Sequence, residues 1–340
     1  MTVSIVVPHR NHSALLAELM QSIQRQVLPE HICVETVIVD NGSTDESVAM
    51  ARQAGARVLA LGRNEGVSRA LNHGIKASKG EWVALVNNDV ELAPDWLAHL
   101  LKTLEESGAW FATGKTLNFR RRARIDGAGD AICRGGTSWR LGHDRDDGPL
   151  FSSVRPTYFP SATATLFRRD FFEQVGFFEE NLFAYLEDVD LGLRAALADL
   201  PGRYVPGAVA YHRGGETAGR WSDAMVEWLT CHQVLLLAKF YPRALLFRYL
   251  RPILAAQFLW AVLAISRGRW LAWARGFGRG IRRGPALRRS TLALRTEWQR
   301  LAAVLQSAEA EIAHIQRATS WDTYWKWYFR LSGTPQRIKA

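Results

Sequence analysis

Cysteine is scarce in this chain, three in 340 residues, and Cys33, Cys133 and Cys231 show no paired spacing. An odd, unpaired set excludes a disulfide framework and a thiolate zinc site, and fits free thiols in a reducing compartment. Also missing is the run of about 20 apolar residues that a membrane-crossing helix requires. The uncharged stretch 252–266 falls short of it. There is no Gly-x-Gly-x-x-Gly and no Walker A lysine, which argues against dinucleotide and ATP sites. No internal repeat or low-complexity tract is present. The chain runs from Met1 straight into a strand pattern, with no basic start and no apolar stretch closed by small residues, so no secretory signal is expected. The most localised absence is of acid. Between Glu227 and Glu297 there is no Asp or Glu but 13 Lys and Arg, so of the net +10 the rest of the chain is left with −3. A surplus confined to one segment implies a local anionic surface as partner.

What is present is ordinary for a folded protein, 48% hydrophobic and 22% charged, and the length allows one large domain or a domain with an appendage. Short apolar runs at 3–8, 34–40, 57–61 and 82–86 read as strands, and helical patterns at 13–25 and 66–77 alternate with them. Ser43 and Glu46 have capping-box spacing, which predicts a helix starting there. Such alternation predicts an α/β fold with a parallel sheet covered on both faces. In such sheets ligands collect at the carboxyl edge, where Asp40 and Asn41 end one strand and Asn87, Asn88 and Asp89 end another. Asp40 and Asn41 can read a base or ribose, or simply cap a loop. The Asn87-Asn88-Asp89 set offers oxygen ligands and no thiolate, suiting Mg²⁺ or Mn²⁺, although Asn and Asp also favour turns for purely local reasons.

Further on, 118–149 is rich in Arg, Gly and Asp with little periodicity and reads as a long loop region, either a lid or a surface insertion. Residues 158–168 suggest a strand and 171–178 a short helix ending at glycine. A helix then opens with Glu187, Asp188 and Asp190 in its first turn, where the macrodipole favours acid without any catalysis. Asp190 has Arg194 four positions on. No basic residue stands at either helical spacing from Asp188, which makes it the better candidate base. A strand at 204–212 leads to His212 and Arg213. His212 is either structural or a contact to a metal or diphosphate, and Arg213 with the glycines after it is placed to close over phosphate oxygens.

Taken in order, Pro8-His9-Arg10-Asn11, Val39-Asp40-Asn41-Gly42-Ser43-Thr44-Asp45, Asn64-Glu65-Gly66, Asn87-Asn88-Asp89 and Glu187-Asp188 resemble the inverting family 2 glycosyltransferases of GT-A fold, in particular rhamnosyltransferase-like bacterial members. The resemblance covers roughly the first two-thirds of the chain. It implies that Pro8, Arg10, Asp40 and Asn64 hold the nucleotide, that Asp89 ligates a divalent metal, and that Asp188 is the acceptor-activating base. Related enzymes often have a histidine at the position of His212 facing the metal or diphosphate, and an imidazole ligand favours Mn²⁺ over Mg²⁺. Many members carry Asp-x-Asp where this chain has Asn87, so one expected carboxylate is missing.

Residues 222–340 change to helix formers, Arg, Trp and Leu. The stretch 252–266, bracketed by Arg251 and Arg267 with Trp260, Trp270 and Trp273 in and after it, is either a helix lying in a membrane interface or a hairpin packed on the catalytic domain or on a second copy. The aromatic cluster 321–329 is an interfacial anchor or a docking strip. Nucleic acid is not expected, since no recognition motif accompanies the arginines.

The expected molecule is therefore a GT-A domain over 1–221 with a helical, basic and aromatic, membrane-associating extension over 222–340. It transfers a sugar from a nucleoside diphosphate sugar, deoxythymidine diphosphate rhamnose or a UDP-sugar, to a lipid-linked saccharide. Its place is the cytoplasm, peripheral at the inner face of the cell membrane, as a monomer or a homo-oligomer. The alternatives are a nucleotidyltransferase on a similar sheet and a membrane-docking scaffold whose sugar site is dead.

Overall fold

The computed structural model describes residues 1–214, 219 and 221–333. They form two units, the first made of 1–129 and 142–214, the second of 130–141 and the chain from 215 onward.

In the first unit, aliphatic runs become strands and the amphipathic stretches between them become covering helices. In chain order these are β1 (Thr2–His9), α1 (Ser13–Gln24), β2 (Cys33–Asp40), α2 (Ser47–Gln53), β3 (Arg57–Ala60), α3 (Val67–Ala77), β4 (Trp82–Val86), β5 (Val90–Leu92), α4 (Trp96–Ser107), β6 (Phe111–Asn118) and β7 (Ile125–Gly127). A hairpin of β8 (Asp130–Ile132) and β9 (Ser138–Arg140) belongs to the second unit. The first unit resumes with β10 (Arg155–Thr157), β11 (Ala164–Arg168), α5 (Arg169–Val175), α6 (Glu187–Ala198) and β12 (Gly202–His212).

The sheet runs β10-β12-β6-β11-β4-β1-β2-β3, with β5 added to β12 and β7 to β6. β1 is parallel to β2 and β4, β2 to β3, and β12 to β6, while β11 is antiparallel to both its neighbours, β4 and β6. The period of two along the strands sorts their side chains between two helix layers. Ile5, Val7, Ala84 and Val86 pack with Leu16, Leu19, Trp96 and Leu100 of α1 and α4. Val6, Val83 and Leu85 pack with Leu71, Ile75, Phe171 and Leu191 of α3, α5 and α6. The mainly parallel, helix-flanked α/β architecture expected from the sequence is therefore the one observed.

Three local expectations are corrected. Ser43 and Glu46 do not form a capping box: α2 starts at Ser47, and the two side chains instead accept from Asn11 N and Ser13 Oγ across the neighbouring loop. The strand expected over 158–168 is confined to Ala164–Arg168. The stretch 118–149 is not structureless, since it carries β7, β8 and β9.

The second unit holds α7 (Asp223–Phe240), α8 (Arg243–Arg248), α9 (Leu250–Ser266), α10 (Trp270–Ser290), α11 (Trp298–Ala318) and α12 (Thr323–Ser332). Helix α10 packs on α7 through Ala272, Gly276, Gly280 and Gly284, all buried at helical spacing. The approach is close enough that a Cβ on Gly276 would lie 2.3 Å from the Glu227 carbonyl oxygen. The β8–β9 hairpin joins this unit for the same kind of reason. A Cβ on Gly135 would meet Ala256 at 2.4 Å, and Arg134 pairs with Glu309, which is fully buried. Among the described residues no helix is long and apolar enough to cross a membrane.

Candidate functional site

The carboxyl ends of β1, β2 and β4 lie side by side, and the residues singled out in the sequence collect there. At the end of β1, Pro8 is half-buried, His9 buried and Arg10 exposed. The loop after it is clasped to the loop after β2: Asn11 Oδ1 accepts from Thr44 N at 2.9 Å, and Ser13 N donates to Asp45 Oδ2 at 3.1 Å. Asn11 and His12 are both in the left-handed region, a strained conformation for non-glycine residues that persists only where the surroundings enforce it.

At the end of β2, Asp40 is buried and accepts from Ser43 N at 3.1 Å. Asn41 has both ends of its amide engaged by backbone, Nδ2 donating to Gly66 O at 3.1 Å and Oδ1 accepting from Glu65 N at 2.7 Å. Its role is thus to fix the 64–66 loop, whose Asn64 stays exposed while its Oδ1 accepts from Gly66 N. Gly66 sits at φ +90°, and a Cβ there would meet the Phe183 carbonyl oxygen at 2.6 Å, so only glycine lets the chain ahead of α6 pass.

Past β4, Asn88 and Asp89 are buried. The Asn88 amide nitrogen lies 3.0 Å from His9 Nδ1. Burial outweighs the nearby Asp45 and Asp40 carboxylates and lowers the His9 pKa from 6.5 to about 4, so His9 is neutral. With Nδ1 accepting from Asn88, the proton sits on Nε2, a buried atom with no hydrogen-bond partner among the described residues.

Asp89 faces β12. Its Oδ1 is 3.3 Å from His212 Nε2, and the other ring nitrogen of His212 is 2.8 Å from Asp126 Oδ2 on β7. Burial acts to depress the His212 pKa, but the two carboxylates outweigh it and raise it to about 9. Burial acts to raise Asp89, and the His212 charge and hydrogen bond leave it lowered instead. Arg213 donates its backbone N–H to Asp89 O at 3.1 Å. Its guanidinium is held by Glu18 of α1 and stacked 3.6 Å from the Phe119 ring centroid. Gly215, the next glycine but one, lies outside the described residues.

Asp188 stands at the start of α6 and is half-buried. Its Oδ1 accepts from Val189 N at 2.8 Å and its Oδ2 lies 3.4 Å from Ala162 N. One residue further, Thr163 O accepts from Asn87 N at 3.0 Å. A single segment, Ser161-Ala162-Thr163, therefore ties the end of β4 to the first turn of α6. The residues before that turn, Tyr185 and Leu186, form a second left-handed pair. Asp190 is fully buried and bound to Arg194 at 2.9 Å, the pairing its spacing predicted.

Sequence reasoning missed Asp126, His9 and the 161–163 segment. Asp126 lies in a three-residue strand too short to show a period, and nothing local marks it as the partner of a histidine 86 positions away. His9 lies within the motif Pro8-His9-Arg10-Asn11, but only the fold shows that it is buried against Asn88.

The donor set fits a divalent cation. Two ligands of one metal at about 2.1 Å stand about 3 Å apart, close to the Asp89–His212 separation of 3.3 Å. A neutral His212 that donates from Nδ1 to Asp126 presents its Nε2 lone pair beside Asp89, the usual carboxylate–histidine–metal relay. Among the described residues no group of three or more His, Cys, Asp and Glu is placed to hold a metal.

Comparison with known proteins bears on the family and the fold. The family model described as Glycosyl transferase family 2 matches residues 4–176. An N-acetylglucosaminyl-diphospho-decaprenol L-rhamnosyltransferase of Mycobacterium tuberculosis is 32% identical over 212 residues, 55% of this chain and 69% of the relative. Among solved structures, a mannosyltransferase from Pyrobaculum calidifontis in complex with GDP-Man and Mn²⁺ superposes with a TM-score of 0.52 at 18% identity, covering 92% of this chain and 86% of that one. S. aureus TarS 1-349 in complex with UDP-GlcNAc gives 0.54 at 19%, covering 97% and 92%.

Proposed function

This chain belongs to glycosyltransferase family 2, and from that premise we propose that it moves a sugar, with inversion, from a nucleoside diphosphate sugar to a lipid-linked saccharide. The observation that carries the reading is the convergence just described: the Asp89–His212 pair and Asp188, far apart in sequence, are joined through residues 161–163 at one sheet edge.

Pro8, Arg10, Asp40 and Asn64 border the place for the nucleotide, and Asn41 and Gly66 set its loop. A divalent cation, Mn²⁺ rather than Mg²⁺ because one ligand is an imidazole, would be held by Asp89 and His212 and would neutralise the departing diphosphate. Asp126 keeps His212 in the tautomer that ligation needs. Asp188 accepts the proton of the acceptor hydroxyl as that oxygen attacks the anomeric carbon from the side opposite the leaving group. One displacement inverts the configuration, and the products are the glycoside and a nucleoside diphosphate.

The L-rhamnosyltransferase relative supports rhamnose as the sugar and a diphospholipid-linked N-acetylglucosamine as the acceptor; we take the donor to be deoxythymidine diphosphate rhamnose, with a UDP-sugar as the alternative. A lipid-linked acceptor fits an enzyme working peripherally at the inner face of the cell membrane. A thermal-shift screen of nucleotide sugars with Mn²⁺ tests the donor. At a hundredfold excess over Kd a true donor stabilises by about 2.7 kcal/mol, and adding acceptor should release one nucleoside diphosphate per sugar transferred. Release of pyrophosphate, or a screen in which every donor leaves the melting curve unmoved, refutes the reading.

A further inference from the structure

The solvent face of α9 runs opposite to the ordinary rule for helices. Leu250, Leu254, Phe258, Val262 and Ile265 recur at spacings of three and four, all on one face, and are 50, 60, 63, 46 and 53% exposed. From Pro252 to Ser266 the helix has no charged residue, and Arg251 and Arg267 stand at its two ends. Isolated exposed apolar residues are commonplace, but a continuous stripe over four turns marks a surface that something covers.

Helix α10 is built to match. Its glycine stripe fixes one side against α7, so its other side faces outward. That outward side carries Trp270, Phe277 and Ile281, 56, 38 and 54% exposed. Beside them an exposed arginine row recurs every seven residues, Arg275, Arg282 and Arg289, none of which has an ion pair among the described residues. Carboxylates on the neighbouring α7 are engaged elsewhere, Asp223 with Arg269 and Glu227 with Arg279. No acid lies between Glu227 and Glu297 to neutralise the row.

We propose that the outward faces of α9 and α10 form a monotopic docking surface for an anionic lipid bilayer. The apolar stripe enters the acyl boundary and the arginine row binds lipid phosphates. Charge selects this occupant. A second copy of the chain would bring the same uncompensated arginines against these, whereas anionic headgroups neutralise them. At 17 residues α9 lies along the interface and does not cross it. The inference does not depend on the transfer reaction, and its test uses neither donor nor acceptor.

The test is flotation of the full chain with phosphatidylcholine vesicles, with and without phosphatidylglycerol. The chain should float with the anionic vesicles, and added salt should weaken the binding. Changing Arg275, Arg282 and Arg289 together to Gln should lower partitioning roughly fivefold per arginine. Phe258→Glu, at an exposed position, should lower it at least tenfold with the far-ultraviolet dichroism unchanged. A protein that stays at the bottom at low salt, or flotation that survives either change, overturns the proposal. So does a stable dimer by light scattering that Phe258→Glu dissociates, since the face would then be a subunit contact.

Discussion

Two histidines that contact the adjacent residues Asn88 and Asp89 are driven in opposite directions by what surrounds them. His9, beside an amide, is held down to about 4, and His212, between two carboxylates, is held up to about 9. In metal-free protein the His212 contribution to stability is full below its unfolded pKa of about 6.5 and is lost as pH rises towards 9. The His9 contribution has the reverse sign: it is full above 6.5 and is lost as pH falls towards 4. The melting temperature measured in chelator should therefore fall on both sides of neutrality. His212→Gln should flatten the alkaline limb and His9→Gln the acid one. Because His212 must give up its proton before its lone pair can ligate, metal should bind more tightly as pH rises. Asp126→Asn removes the group that sets the tautomer and should weaken Mn²⁺ binding by about 10- to 100-fold, read by calorimetry; unchanged affinity would remove Asp126 from the account. The pairing of Asp190 with Arg194 was legible from a spacing of four, but that of Asp126 with His212 was not, because it depends on β7 and β12 both lying against β6.

At the level of elements, legibility followed periodicity. Strands at 82–86 and 204–212 were readable because an apolar run ends abruptly in polar residues, and α6 because its acids cluster in one turn. Where a side chain has two uses, local rules failed. Ser43 and Glu46 have the spacing of a cap, yet the β1–α1 loop takes both of them: Ser43 Oγ accepts from the Asn11 N–H and the Glu46 carboxylate from the Ser13 hydroxyl, contacts that spacing along the chain does not reveal. The glycine stripe of α10 was invisible as a packing device, because glycine is an unfavourable helix residue and its value appears only once α7 is against it. Gly276→Val should cost about 1–3 kcal/mol or more, seen as a lowered midpoint in urea, while the exposed Gly278→Ala should be neutral or slightly stabilising.

For the whole molecule, the sequence showed one compositional break and the structure shows that the chain does not divide there cleanly. Residues 130–141 group with the helices after 215, so the division of 1–221 from 222–340 omits a hairpin whose Arg134 needs Glu309. A chain ended at 214 should leave that arginine and the faces around Gly135 and Gly136 without partners. It should run as an aggregate on gel filtration, where the full chain is a defined species. The charge break remains a statement about partners, and the candidate site residues from Pro8 to Arg213 all lie in the first unit.

All of that chemistry rests on the carboxylate at the start of α6 taking a proton while the nucleotide end of the site merely holds the donor. The direct measurement is the turnover of Asp188→Asn with donor, Mn²⁺ and acceptor, alongside the donor-induced thermal shift. Transfer should fall by about 10²- to 10⁴-fold with the thermal shift intact. Turnover within a few-fold of the unchanged enzyme would contradict it.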